Sequence, residues 1–402
     1  MTDGHRPVIS PRVAAIPESA TLGVTAKAKA MKAAGEDVIV FAAGEPDFDT
    51  PEPIKGAAVE AIKAGKTKYA PVPGTPELRK AVVDKLKREN NLDYDPAEIV
   101  VSCGAKHSLF NAVLTLVNEG DEVLVPAPYW VTYPEQVKLA GGSFVPVQTK
   151  SEDGFRLRVE AVEKAVKKGK TKLLILNSPN NPTGAVYDRQ TLADIAEVLI
   201  ENDVYVVSDE IYEHLIYGGK KHVSIFNANP KMKERGVLVN GLSKAYAMTG
   251  WRVGYTAAPK EITVPMSRMQ SHGTSGIATF VMSGAVAALE SDGSDVAKMR
   301  AAFERRRALI IKRVKDIPQL ECTEPEGAFY LMVGIEKLIG QTVAGVAING
   351  ANDFAMTLLE KAKVAAVPGE AFGAPHRVRF SYATSEDNIN KGFDRIAKLL
   401  KG

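Results

Sequence analysis

The chain has 402 residues, 45% of them hydrophobic and 25% charged, the composition of an ordinary globular protein long enough to bury large cores and to divide into two domains. Lysine and arginine number 51 against 48 acidic residues, a formal charge of +3, and so small an excess over this length gives no electrostatic reason to expect nucleic acid. Two cysteines, Cys103 and Cys322, are too few for a disulfide framework or a zinc site, no apolar run reaches membrane-spanning length and no apolar signal segment opens the chain, so a cytoplasmic protein with no membrane partner is expected.

Residues 24–34, rich in Ala and Lys, predict a helix ending near Gly35, and Val38–Phe41 predicts a short strand. The stretch Ala43-Gly44-Glu45-Pro46-Asp47-Phe48-Asp49-Thr50-Pro51 breaks regular structure; Gly44 lets a bare backbone N–H approach an anion, and the prolines fix the exit. A helix to about Ala64 follows, then Lys66-Thr67-Lys68-Tyr69 and the rigid turn Pro71-Val72-Pro73-Gly74. Gly65-Lys66-Thr67 and Gly169-Lys170-Thr171 superficially match the phosphate loop of nucleotide hydrolases. The glycine that loop needs five residues earlier is Glu60 in one case and Lys164 in the other, so that reading is set aside.

Ile99–Ser102 predicts a strand, Gly104-Ala105-Lys106 a turn, and His107–Val117 an amphipathic helix, a sequence of elements that gathers free N–H groups and suits a phosphate. From Glu122 onward, apolar runs at Val123–Val125, Phe144–Val147, Leu173–Leu176 and Val204–Val207 alternate with helical stretches such as Ala193–Asn202. That alternation predicts an α/β fold with a mainly parallel sheet between helices, and ligands then gather beyond the carboxyl ends of its strands. After about residue 295 come a long helix through Phe303–Val314, a strand at Phe329–Val333, a glycine-containing insert at 334–352, a helix and a strand at Arg377–Tyr382. This predicts a smaller α+β domain completed by the N-terminal segment, with boundaries at 1–50, 51–295 and 296–402.

The chemistry concentrates in Val237–Tyr255. Lys244 leaves an apolar strand-like run, Val237–Val239, and a second run, Val253–Ala258, follows soon after. An ammonium held away from water is costly, so its pKa falls and the neutral amine becomes a nucleophile able to form a Schiff base with an aldehyde. Arg252, at the start of the second run, offers a planar fork to a phosphate, and together the pair suggests a phosphorylated aldehyde such as pyridoxal phosphate. Upstream, Leu176–Gly184 contains Asn180-Asn181-Pro182-Thr183-Gly184, and Val207–Tyr212 contains Asp209. A buried pyridine needs a carboxylate to keep its nitrogen protonated, for which Asp209 is the candidate, and Asn181 and Tyr212 are candidate donors to the ring's phenolate oxygen. Taken singly, Asp209 reads equally well as a helix N-cap and Asn181-Pro182 as a plain turn.

Jointly, Asn-Pro-Thr-Gly, Asp-x-x-Tyr, Ser243-Lys244 and Arg252 at these intervals resemble class I aminotransferases, fold type I pyridoxal phosphate enzymes, from about Val13 to the C-terminus. With Gly44–Pro51 and Tyr382–Ser385 the chain looks like the bacterial and plastid branch of aspartate aminotransferases, which includes aspartate/prephenate enzymes. The resemblance implies a seven-stranded-type, mainly parallel sheet and a homodimer with shared active sites. It also implies ping-pong exchange of an amino group between amino acids and 2-oxo acids. Lys244 would hold the cofactor and shuttle the proton, with Ser243 beside it; Trp130 would stack on the ring, although a core tryptophan is the competing reading. Ala105, Lys106 and Arg252 would hold the phosphate, and Tyr69 would reach it from the neighbouring subunit. Arg379 with the Gly44 backbone would bind the substrate α-carboxylate.

For the distal carboxylate, the segment Ser271–Phe280, where the animal and enteric branch supplies an arginine, has none. The resemblance points instead to Lys106, with Ser19 and Thr21 nearby. Gly241 departs from the serine frequent in relatives and puts one phosphate contact in doubt. Within the fold, an aromatic or broad-specificity aminotransferase or a C–S lyase are the alternatives. A transcription regulator built on this domain would need an appended DNA-binding domain, for which the chain has no room. His107, His214, His222 and His272 have no metal-ligand spacing, so no metal is expected. His214, five residues after Asp209, is a candidate second-layer contact of the pyridine site, against the alternative of a core or solvated histidine.

Overall fold

The computed structural model describes residues 8–18 and 20–401, residues 20–22 by their backbone alone. Its centre is a seven-stranded sheet: β1 Ile99–Cys103, β2 Glu122–Ala127, β3 Ser143–Gln148, β4 Thr171–Asn177, β5 Tyr205–Asp209, β6 Gly236–Gly241 and β7 Val253–Ala257, in the order β1-β7-β6-β5-β4-β2-β3. β7 alone runs antiparallel to its neighbours. A strand running the other way delivers its first residue where the others deliver their last, and so Arg252 reaches the edge at which β4, β5 and β6 end.

Alternation along the strands decides which helices each face meets. Leu124, Leu174, Leu176, Val206 and Leu238 pack with Leu78, Val82 and Leu86 of helix Pro76–Asn90 and with Leu192, Ile195 and Leu199 of helix Arg189–Glu201. Val123, Val125, Leu173, Ile175, Val207, Val237 and Val239 pack with Leu109 and Val113 of helix Ala105–Leu116 and with Ile262 and Met266 of helix Lys260–Gly273. Both faces are covered, as expected for runs so uniformly apolar.

A second, antiparallel sheet follows: β8 Glu321–Cys322, β9 Tyr330–Gly334, β10 Val367–Pro368 and β11 Arg377–Ser381, in the order β10-β11-β9-β8. The N-terminal segment packs beside it: Ile39–Val40 pairs in parallel with Val364–Ala365 as a separate two-stranded ribbon, the Ser381 N–H donates to the Phe41 carbonyl at 2.8 Å, and Phe41 packs on Phe380 and Phe393. Helix Ser294–Lys315 connects the two sheets. At 22 residues it spans about 33 Å and contains the stretch Phe303–Val314 expected to be helical.

Other boundaries also move. The helix expected from 24 runs Ala20–Ala33, ending before Gly35 at φ +87°. Gly104, at φ +85°, ends β1 so abruptly that Ala105 and Lys106 form the first helical turn instead of a loop. The insert at 334–352 carries a small hairpin, Thr342–Val343 with Val346–Ala347. Among the described residues no helix is long and apolar enough to cross a membrane.

Candidate active site

β6 ends at Gly241, where any Cβ would come within 2.7 Å of the Val253 carbonyl oxygen; the close approach of β6 and β7 thus accounts for the glycine. The chain then turns, and Lys244 projects over the sheet edge. Its Nζ donates to the Gly44 carbonyl at 2.5 Å and stands about 6 Å from the ring centroids of Tyr212 and Phe329. Burial lowers its pKa to about 8; Glu45 opposes that shift, and Arg379 and Arg252 add to it. A measurable fraction of neutral amine therefore exists at physiological pH.

Asp209 closes β5 and is 3% exposed. Its Oδ2 accepts from the Tyr133 hydroxyl at 2.7 Å and its Oδ1 from the Ile211 N–H at 3.3 Å. Burial raises its pKa to about 6 against the lowering pull of those two hydrogen bonds. A turn, not a helix, follows it, so the helix N-cap alternative is not what the chain builds. Asn177, which pairs with Asp209 in register, donates to the Asp209 carbonyl at 2.9 Å and accepts from the Asn181 N–H at 2.8 Å, and so ties the Asn181 loop to β5.

Asn181 Oδ1 in turn accepts from Arg379 Nη1 at 3.0 Å. Arg379 lies on β11, 2% exposed, with Nη2 donating to the Ala42 carbonyl at 3.3 Å. Its guanidinium stacks 4.4 Å from the Tyr330 ring centroid and 4.9 Å from that of Phe372. Its buried Nε has no hydrogen-bond partner among the described residues. A buried cation with an unused donor is poorly satisfied alone and well suited to an incoming carboxylate. The Gly44 carbonyl meets Lys244, while the Ala42 carbonyl meets the arginine.

At the other end, Arg252 takes a left-handed conformation, φ +58°, and donates to the Thr249 and Cys103 carbonyls at 2.8 and 3.2 Å. Two glycines make room: a Cβ on Gly104 would come 2.2 Å from Arg252 Nη2, and one on Gly254 would come 2.2 Å from the Ala105 nitrogen. The first-turn amides of Ala105 and Lys106 and the Arg252 fork thus share one edge, an anion-binding arrangement. Lys106 Nζ lies 4.8 Å from the Trp130 ring centroid, its pKa lowered by burial and by Arg252. Trp130 meets Tyr133 edge to face at 5.5 Å.

Ser243 is buried beside Lys244. Tyr69 is 99% exposed and does not enter the cluster within one chain. Ser19 and the side chain of Thr21 lie outside the described residues. The second-layer place considered for His214 belongs to Tyr133: His214 Nε2 instead lies 3.5 Å from carboxylate oxygens of Glu89 and Glu213.

That histidine borders another buried charge cluster, behind the sheet edge. Glu210, Glu213 and His222 bring potential metal-ligating atoms within 4.8 Å of one another. The oxygens are already engaged: Glu210 accepts from Ser208, Ser224 and His222 at 2.8, 2.6 and 2.7 Å, and Glu213 from Lys85, Asn240 and Asn90. Burial pushes Glu213 upward, but Lys85, His214 and His222 outweigh it and hold the carboxyl well below its usual range.

Sequence reasoning missed Tyr133, Tyr330 and Asn177. Tyr133 had a signal, since it lies three residues beyond Trp130 at the start of helix Thr132–Leu139. Tyr330, with its hydroxyl 3.0 Å from that of Tyr212, had none beyond its place in an apolar strand.

A family model described as aminotransferase class I and II matches residues 36–396. Over 393 residues the chain is 44% identical to the aspartate aminotransferase of Bacillus subtilis strain 168, covering 98% of this chain and 99% of that one. It is 47% identical to a probable aspartate/prephenate aminotransferase of Aquifex aeolicus, covering 98% of each. Among solved structures, aspartate aminotransferase from Rhizobium meliloti superposes with a TM-score of 0.94 at 42% identity, covering 99% of both chains. The Thermus thermophilus aspartate aminotransferase with maleate gives 0.92 at 43%, covering 98% of this chain and all of that one.

Proposed function

The chain belongs to the class I and II aminotransferase family, and from that premise we propose a cytoplasmic, pyridoxal phosphate-dependent enzyme that exchanges an amino group between aspartate or glutamate and 2-oxo acids. The observation that carries this reading is one amine of lowered pKa, Lys244, at the same sheet edge as a buried carboxylate, Asp209, and a buried arginine with an unused Nε, Arg379.

The residues present fit the cofactor. Lys244 would hold it; Arg252, seated against Gly104, with Ala105 and Lys106, its phosphate; and Asp209 its pyridine nitrogen, with Trp130 against the ring and Ser243 at the lysine turn. Asn181 and Tyr212 would face its ring oxygen. When bound, such a cofactor supplies an electron sink for the pair left on the substrate Cα after its proton departs.

The chain's own groups do the rest. Arg379 binds the substrate α-carboxylate at Nε and one side of its fork, while Asn181 holds the other side. Lys244, whose amine becomes neutral as pH rises through about 8, takes the proton from the substrate Cα at its Nζ and holds it there for delivery to the aldehyde-derived carbon instead of back to Cα. The rings of Phe329 and Tyr212, themselves packed edge to face, stand about 6 Å from that amine.

Lys106, with Ser19 and Thr21, would receive a distal carboxylate, a reading supported by its Nζ lying over the Trp130 ring. The maleate of the Thermus thermophilus structure is a dicarboxylate, in keeping with that choice. The Aquifex aeolicus relative supports prephenate, which also carries two carboxylates, as a second acceptor. Exposed Tyr69, with exposed Val59 and Ile62 on the preceding helix, supports a homodimer whose partner completes the phosphate site. We divide the chain at 50 and 295, with the first segment joined to the last unit through Ile39–Val40.

The test is spectrophotometric. Purified enzyme with pyridoxal phosphate is exposed in parallel to aspartate, glutamate and phenylalanine, then to prephenate. Aspartate and glutamate should convert the cofactor band fastest, and borohydride should fix the cofactor on Lys244. A colourless protein, or an unmodified Lys244, overturns the assignment.

A further inference from the structure

Tyr330 is the first residue of β9, in the antiparallel sheet, yet its hydroxyl lies 3.0 Å from that of Tyr212, which follows β5 of the large sheet. Its ring carries the Arg379 guanidinium at 4.4 Å. A Cβ on Gly44, whose carbonyl receives the Lys244 ammonium, would stand 3.6 Å from the same hydroxyl. One buried side chain therefore touches both the arginine for the substrate carboxylate and the phenol for the cofactor's ring oxygen. We propose that Tyr330 is a positioning residue joining those two groups: its ring fixes the plane of the Arg379 guanidinium, and its hydroxyl donates to Tyr212 and makes Tyr212 a stronger donor. The inference rests on the roles given above to Lys244, Tyr212 and Arg379.

The direction of the hydrogen bond follows from a proton count. Each phenol has one proton, and burial holds both neutral. Once Tyr212 gives its proton to an anionic ring oxygen, its own oxygen can only accept, and Tyr330 must be the donor. A hydroxyl that accepts while it donates is polarised, and chained hydrogen bonds strengthen one another. A stronger Tyr212 donor favours the ionised ring oxygen and moves the proton-dependent absorption change of the bound cofactor to lower pH.

The experiment is a titration of holoenzyme absorbance from about pH 5 to about pH 10, with KM for aspartate measured alongside. Tyr330→Phe should raise the spectral midpoint by about half a pH unit. It should leave KM within about twofold, because the ring under Arg379 remains. Tyr330→Leu should raise the midpoint similarly and also raise KM about tenfold, through loss of that ring. An unchanged midpoint in Tyr330→Phe overturns the proposal, as does an equal KM in the two variants; if Tyr330→Leu does not fold, Tyr330→Phe alone decides. A wild-type protein with no pH-dependent band, or one whose band survives in Lys244→Ala, overturns the cofactor reading itself.

Discussion

Tyr133→Phe removes the bond that keeps Asp209 charged, and its effect can be worked out with a sign. The carboxyl of Asp209 is pushed by burial from 3.8 to about 6, with the 2.7 Å bond from Tyr133 holding it down. A hydrogen bond to a charged group contributes roughly 1.5–3 kcal/mol. At about 1.4 kcal/mol per pKa unit, its loss lifts Asp209 by a further one to two units or so, to roughly 7–8. A carboxyl whose folded pKa lies above its unfolded value stabilises fully below about pH 4, and that contribution is lost as pH rises through the folded value. In the variant the loss continues to higher pH. At about pH 8 the variant should therefore be less stable than wild type by roughly 1.5–3 kcal/mol, and at about pH 5, where both proteins hold the proton, by about 1 kcal/mol or less. For a chain of 402 residues these figures correspond to Tm losses of about 2–4 °C and about 1 °C, measured by calorimetry on cofactor-free protein. Cofactor affinity at pH 8 should fall about tenfold in parallel. Equal destabilisation at the two pH values would refute the reasoning, because it would mean the bond does not distinguish the ionised carboxylate.

Lys106→Ala should lower kcat/KM for aspartate and glutamate by about a hundredfold and for phenylalanine by less than about threefold, the cost of one charge-assisted contact; steady-state kinetics on the three substrates decides. Gly104→Ala places a Cβ 2.2 Å from Arg252 Nη2 at φ +85°, and should weaken pyridoxal phosphate about tenfold or more while leaving pyridoxal without its phosphate almost unaffected, by equilibrium titration of the apoenzyme. In cofactor-free protein, reaction of Lys244 with a simple aldehyde should rise with pH through about 8, not near the ordinary lysine value; peptide mapping after borohydride reads this directly, and a midpoint above about 10 would mean the amine is hydrated.

Much of the site was legible because its groups sit at strand ends, where an apolar run stops at a polar residue: Asn181 beyond β4, Asp209 at the end of β5, Lys244 after β6 and Arg252 before β7. The sheet alone then brings them together. What could not be read acts through other side chains. Tyr133 matters only because Asp209 is buried under it, and Tyr330 only because β9 pairs with β11 in a register that sets Met332 opposite Arg379. The helix at Ala105 was read two residues late because a glycine turn and a helix start look alike until Gly104's positive φ closes the strand in one residue. Tyr69 faces outward, so a role for it rests on a second chain that one chain's sequence and fold do not display.

The same strand alternation that builds the site also separates its charges. Asp209 falls on the β5 face of Val207, toward Tyr133 and Trp130. Ser208 and Glu210, its neighbours in sequence, fall on the other face with Ser224 and His222, and the Lys85–Glu213 pair lies beyond them. Two buried ionic clusters thus lie back to back across one strand. Glu210 raises the pKa of Asp209 across that strand, so a more strongly ionised rear cluster disfavours the charged form of Asp209. The hydrogen bonds from Tyr133 and the Ile211 N–H and the positive charge of Lys244, all on the front face, oppose that effect, while His222 engages Glu210 behind the strand.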